Sequence, residues 1–277
     1  MKPYISLILG LVCTAGVVRA HHGRDFLLLQ DYNVPVPFAG VITGGYSFES
    51  GEEGDESTVE TGVFSGVAPR AGLGLNLGAG DHGDGWEFSS VSPYTQIQLT
   101  PPTAKFPVRV ALIAGYQFAV NGEDGGDAEA GHEDHHHEHD AHEEAGGHDE
   151  AEADVLHGHT HAAGGIHQHG VSQFFGRLIV ETDLTAADKV LFNLIAIVPE
   201  GGKAAWGYAG GYRYSFSHAV ALGVEAIGDF GEANQHELMA GAYLAPTHTV
   251  LVRLGVGFGL TEESPDYTLR GGLLWRF

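Results

Sequence analysis

The sequence predicts an all-β protein: an antiparallel, up-and-down transmembrane β-barrel of about twelve strands, with one long external loop rich in His, Asp and Glu. Three observations lead there. Stretches of ten to fifteen residues with apolar side chains at every second position recur along the chain, broken by short Gly, Pro, Asp and Ser clusters. The positions opposite the bulky apolar ones hold glycines and charged residues. The connections between stretches alternate between short ones and acidic ones.

At the N-terminus, MKPYISLILGLVCTAGVVRA combines Lys2, an apolar run from Tyr4 to Val12 and a small-residue end at Ala20, so residues 1–20 read as a signal peptide. The mature chain is then expected to start at His21. Cys13 follows Val12 inside the apolar run, which does not suit lipid attachment, and without it the chain has no thiol for disulfides or thiolate metal sites. Residues 21–36 are expected to form a periplasmic N-terminal segment ahead of the barrel. Within it, Arg24 to Asp31 (RDFLLLQD) reads either as a short periplasmic helix or as a plug in the barrel mouth, and the residues leave both open.

The barrel is expected over residues 37–277. Its strands fall near 37–49, 56–68, 71–80, 86–99 and 106–120, then, beyond the segment 121–170, near 171–184, 187–199, 204–217, 219–231, 235–246, 249–261 and 266–277. The last two are the clearest. One face of 249–261 carries Val250, Val252, Leu254, Val256, Phe258 and Leu260, the other Arg253, Gly255, Gly257 and Gly259. In 266–277, Tyr267, Leu269, Leu273, Trp275 and Phe277 stand opposite Thr268, Arg270, Leu274 and Arg276. These lengths cover the roughly 9 to 11 residues that a tilted strand needs to cross a bilayer. Aromatics gather at strand ends, as Tyr46, Phe48, Trp86, Phe88, Trp206, Tyr208, Tyr214, Phe216 and Trp275 do, which is where interfacial girdles lie. A soluble calyx is the alternative, with its polar side out and its greasy side lining a cavity.

Parity orients the connections. With the first strand running outward from the periplasm, Pro69–Arg70, residues 100–105, 185–188, 217–219 and 246–248 become short periplasmic turns. The acidic connections ESGEEGDE (49–56), GDHGDG (80–85), 121–170, 200–203, 231–235 and 262–266 become external. The charged residues expected to face inward are Arg109, Arg177, Glu181, Asp183, Arg213, Glu225, Asp229, Arg253 and Arg270. They imply a wet lumen, and they serve either as a selectivity lining or as a pairing network that fills a narrow one.

Net charge is −23, and the segment Asn121 to Gly170 contributes −14 of it with no Lys or Arg. Such a chain is not expected to bind nucleic acid; cations are its natural partners. The same segment holds twelve histidines, at 132, 135, 136, 137, 139, 142, 148, 157, 159, 161, 167 and 169. With the neighbouring carboxylates Asp134, Glu138 and Asp140, this sulfur-free donor set suits Zn²⁺, with Ni²⁺ or Cu²⁺ as alternatives, bound weakly at several places. His157, His159 and His161 alternate, as do His167 and His169, so in an extended chain each set points one way and can close on an ion. A hydrated polyanion is the competing reading. HEDHH at 132–136 matches a metalloprotease spacing, but no apolar periodicity supports the helix that spacing needs. His21 and His22 form a second metal candidate, through the free amine and imidazole.

The closing residues LRGGLLWRF, with a terminal aromatic and apolar residues alternating before it, resemble the C-terminal signal by which bacterial outer-membrane proteins are recognised for insertion. That resemblance implies a porin- or channel-like barrel in outer-membrane lipid and the outer-membrane insertion machinery as a partner. The His/Asp/Glu run is similar to loops of zinc transporters of several unrelated folds, which implies metal gathered near an entry or exit. The expectation is therefore a non-enzymatic channel passing divalent metal passively, with a non-conducting barrel that displays a metal-buffering or partner-binding loop as the alternative. A third reading, an outer-membrane lipid hydrolase, would need a serine paired with His218, His236 or His248, and no nucleophile motif such as G-x-S-x-G is present.

Overall fold

The computed structural model describes residues 26–51, 54–81, 83, 85–101, 107–120, 160–161, 165–166, 171–231 and 234–277. In chain order the strands are β1 (Gly40–Gly51), β2 (Gly54–Ala68), β3 (Ala71–Asp81), β4 (Trp86–Gln98) and β5 (Val108–Ala119). A two-residue pair follows, β6 (Thr160–His161) with β7 (Gly165–Ile166). Then come β8 (Gln173–Asp183), β9 (Asp188–Pro199), β10 (Ala205–Ser215), β11 (Val220–Asp229), β12 (His236–Leu244), β13 (Val250–Gly259) and β14 (Tyr267–Arg276).

All but β6 and β7 join one closed antiparallel barrel of twelve strands, each paired with its neighbour. Closure is made by β1 on β14, in register from Val41↔Arg276 to Ser50↔Tyr267, so no edge is left exposed. β5 pairs directly with β8, and chain 120–172 therefore leaves and re-enters the wall at one place. The expected strands match in number and faces. Eleven of the twelve boundary pairs agree within two residues; the first strand begins at Gly40 rather than 37. There Pro37 bridges Gly66 in parallel and Phe38 takes a φ of 71°, which turns the chain before it can join the ladder.

The alternation is sorted as a membrane demands. Mid-strand side chains of Leu222, Val224, Leu238, Leu254 and Leu269 are 42 to 50 % exposed on the outside, an arrangement that costs free energy in water and none in lipid. Their neighbours Glu225, Glu237, Arg253 and Arg270 are buried inside. This is the opposite of the calyx arrangement. Aromatic pairs ring both ends: Tyr214–Phe216 and Trp275–Phe277 at the end with short turns, Tyr116–Phe174, Tyr208–Phe230 and Phe48–Tyr267 at the other.

Three short turns use one device. The hydroxyls of Thr185, Ser217 and Thr247 each accept hydrogen bonds from backbone N–H groups two and three residues later, at 3.1 to 3.3 Å. A side-chain oxygen thereby replaces ladder partners in the tight reversal. At the β2–β3 turn Arg70 takes a φ of 75°, and its guanidinium donates to the carbonyls of Gln98 and Leu99 at 2.6 Å each, tying adjacent strand ends together.

Candidate functional site

The lumen is filled by the chain's own N-terminal segment. Residues 26–36 form no helix; they run through the barrel interior, with Phe26, Leu28, Leu29, Asp31 and Tyr32 all at most 3 % exposed. Of the two arrangements open to RDFLLLQD, residues 26–31 take the plug; Arg24 and Asp25 lie outside the described residues.

The wall holds the segment mainly by its backbone. The Glu225 carboxylate accepts from the Leu27 and Leu28 N–H groups at 2.9 and 2.6 Å, and from the Tyr243 hydroxyl. Asn193 grips both backbone groups of Gln30, accepting from its N–H and donating to its carbonyl at 3.0 Å each. Glu181 accepts from the Tyr32 N–H at 3.1 Å, and Arg253 donates to the Phe26 carbonyl at 2.5 Å. Gln96 donates to the carbonyls of Asp31 and Asn33, and Gln98 to that of Tyr32. Lipid-buried walls offer no water, so an extended segment inside them needs such partners for each peptide group. Those partners come from β4, β8, β9, β11 and β13, so the segment crosses the barrel rather than lining one side.

Side chains complete the seat. Arg213 lies over the rings of Phe26 and Tyr243 at 5.4 and 5.8 Å, and those rings meet edge to face at 6.0 Å. Leu28, Leu29 and Tyr32 share a buried apolar cluster with Ile113, Ile179, Leu191, Ile195 and Ile197 of the wall. Gly255 leaves room for the segment, since a Cβ there would lie 2.5 Å from the Leu27 Cδ1. At Gly66 a Cβ would meet the Pro35 carbonyl oxygen at 2.1 Å, where the segment passes out over β2 into β1. The Tyr32 hydroxyl reaches the turn end and donates to the Thr100 carbonyl at 2.5 Å. Burial pushes that phenol above its ordinary range, against the lowering effect of the same hydrogen bond.

Of the charged residues expected in the lumen, all but Arg109 and Asp183 at the turn-side rim are buried, and they divide among different tasks. Glu181, Glu225, Arg213 and Arg253 hold the segment directly, and Arg177 supports it through Asn193 at 3.4 Å. Arg109 pairs with Glu181 at 2.8 Å and with Asp183 at 2.7 Å on the turn-side rim. Arg270 bridges Glu49 at 3.1 Å and Glu237 at 2.8 Å, closing the β1–β14–β13–β12 side of the wall. Asp229 departs from the expected role: its carboxylate accepts from the N–H groups of Gly231, Asn234 and Gln235 and caps the β11–β12 connection. Between segment and wall a cavity of about 50 Å³ remains, lined by Thr43, Tyr46, Glu60, Arg253 and Arg270 among others, and it has room for only a few waters.

Sequence reasoning missed Glu49, Gln96, Gln98, Asn193, Glu237 and the wall apolar residues. All stand at inward parity, so the signal was present; it named a face but no partner.

The metal candidates His132, His135, His136, His137, His139, His142, His148, His157, His159, His167, His169, Asp134, Glu138 and Asp140 lie outside the described residues, as do His21 and His22. His161 is described only as backbone, paired with Gly165. Among the described residues no group of three or more His, Cys, Asp or Glu is placed to hold a metal ion. The hydrolase candidate His236 faces outward beside Tyr208, with its Nδ1 3.2 Å from the Tyr208 hydroxyl. Ser264 Oγ engages the His236 backbone N–H and carbonyl, at 2.7 and 2.9 Å, rather than the imidazole.

No protein-family model and no curated protein matches this chain. Among solved structures, the COG4313 outer-membrane channel from Pseudomonas putida F1 superposes with a TM-score of 0.57 at 10% identity, covering 88% of this chain and 97% of that one. The KdgM porin superposes with a TM-score of 0.53 at 8% identity, covering 86% and 99%. At these identities the likeness concerns the fold, which is that of bacterial outer-membrane β-barrel channels.

Proposed function

We propose that this protein is an outer-membrane, channel-like barrel that gathers divalent transition-metal ions, zinc foremost, at one mouth and offers them passive passage. The observation that carries this reading is topological. Connection 120–172 leaves the barrel at the end shared by the other acidic connections, at 51–54, 81–86, 199–205, 229–236 and 259–267. Short turns at the opposite end favour the periplasmic side for those turns and the exterior for the His-rich segment. Twelve imidazoles and fourteen carboxylates without a compensating Lys or Arg then concentrate cations beside the lumen. Binding is multi-site and weak, as donors spread along about forty residues imply.

Zinc titration of the purified full chain in lipid nanodiscs, beside a deletion of residues 128–169, tests it. The full chain is expected to take up several zinc ions and the deletion to lose most of them, with Ni²⁺ and Cu²⁺ competing. Equal zinc uptake by both chains refutes the role of the segment. The seated N-terminal segment favours a second reading, a barrel that buffers metal without conducting it. Zinc flux into liposomes separates the two.

A further inference from the structure

We propose that the lumen wall is a binding site for a non-helical polypeptide segment, that residues 26–36 are its resident occupant, and that seating this occupant, rather than the width of the wall, closes the barrel. The binding half stands on the geometry alone; the closure half rests on the channel reading above.

The wall is built to read a backbone. Asn193 satisfies one residue's N–H and carbonyl together, as a neighbouring strand would, and the Glu225 carboxylate spans two consecutive N–H groups. Gln96, Gln98 and Arg253 supply donors for carbonyls on either side. These contacts constrain the occupant's conformation more than its sequence.

Shape supplies the remaining selectivity. Gly255 and Gly241 leave a recess over which Leu27 Cδ1 sits, and Gly211 leaves another beneath Leu29 and Phe26, where a Cβ would stand 3.0 and 3.2 Å from those side chains. The ligand class is thus a non-helical segment with an aromatic followed by consecutive leucines. A cavity of about 50 Å³ lies between the segment and residues of β1, β2, β13 and β14. The occupant is tethered through Gly66 and Phe38 to the start of β1 at the turn end, so it can leave only toward that side.

The test uses the full chain and a deletion of residues 26–36, both reconstituted, with barrel folding checked by heat-modifiable mobility. Two readouts separate the two halves. A fluorescent peptide of sequence FLLLQDYNVPV is expected to bind the deletion, with loss of binding for a scrambled peptide; equal binding of both peptides, or none, overturns the seat. In planar bilayers under potassium chloride, the deletion is expected to carry mean current on the order of a hundredfold above the full chain, with block by the peptide from the turn side only. A full chain conducting as well as the deletion overturns closure and leaves the channel reading standing. A folded deletion that binds peptide yet passes no current leaves the seat standing and overturns both closure and the channel. Should the deletion fail to insert, Gly255→Leu in the full chain replaces it, since the new side chain fills the Leu27 recess; raised current supports the inference, and unchanged current overturns closure.

Discussion

Replacing Glu225 by glutamine tests how firmly the segment is held without altering wall volume. The carboxylate is fully buried and accepts from Leu27 N–H at 2.9 Å, Leu28 N–H at 2.6 Å and the Tyr243 hydroxyl. Glutamine keeps one acceptor oxygen and turns an NH₂ toward a backbone N–H, so one buried donor loses its partner and the remaining bonds lose their charge assistance. An orphaned buried donor costs about 1–3 kcal/mol, and a hydrogen bond to a charged group contributes about 1.5–3 against about 1 for a neutral one. The seat should therefore weaken by about 2–4 kcal/mol, which shifts the unseated fraction by roughly 30- to 1,000-fold. The readout is the labelling rate of Leu28→Cys, in a chain whose Cys13 is replaced by Ser, toward a thiol reagent admitted through the turn end. When reseating outpaces labelling, that rate follows the unseated population. Asp183→Asn on the exposed rim is the control. A rate in Glu225→Gln within about threefold of the control would refute the assignment of this carboxylate as the anchor, because such a shift is below about 0.7 kcal/mol.

Other expectations follow from the wall. Arg270→Met should leave Glu49 and Glu237 buried without their shared cation, lowering the urea midpoint by the equivalent of about 3–5 kcal/mol; adding Glu49→Gln and Glu237→Gln should restore much of it, and a triple variant as weak as the single one argues against charge as the cause. Leu254→Arg lies on the outside in the middle of β13, whereas Leu260→Arg lies just past its end. In lipid the first should cost about 2–4 kcal/mol and the second about 0–1. Equal penalties in a reversible unfolding measurement would contradict the depth assigned to this strand. Deletion of 128–169 should leave the unfolding midpoint nearly unchanged while removing zinc uptake, since the β5–β8 pairing does not involve that segment.

The candidate site shows where residue patterns stop being informative. Parity placed Arg177, Glu181, Asp183, Arg213, Glu225, Arg253 and Arg270 inside the barrel; all but Asp183, which lies on the exposed rim, are buried there. It could not tell that Glu225 serves backbone N–H groups from the other end of the chain, because peptide groups are the same at every residue and leave no trace in composition. Asp229 misled for a related reason. A carboxylate at inward parity near a strand end can face the lumen or fold back to cap its own loop, and N–H groups of Gly231, Asn234 and Gln235 converge on it only once the loop has formed.

By itself the sequence determined that the chain crosses a membrane as strands, how many close the barrel, where all but the first begin and end to within two residues, and which side chains meet lipid. The pleat alternates with a period of two, and lipid outside forces every second residue to be apolar, so each strand declares itself locally. Only the tertiary structure decided between helix and plug for residues 26–31, which form no helix and lie in the lumen. Their seat is assembled from β4, β8, β9, β11 and β13. Contacts between residues up to 227 positions apart exist only after closure brings those strands around the N-terminal segment.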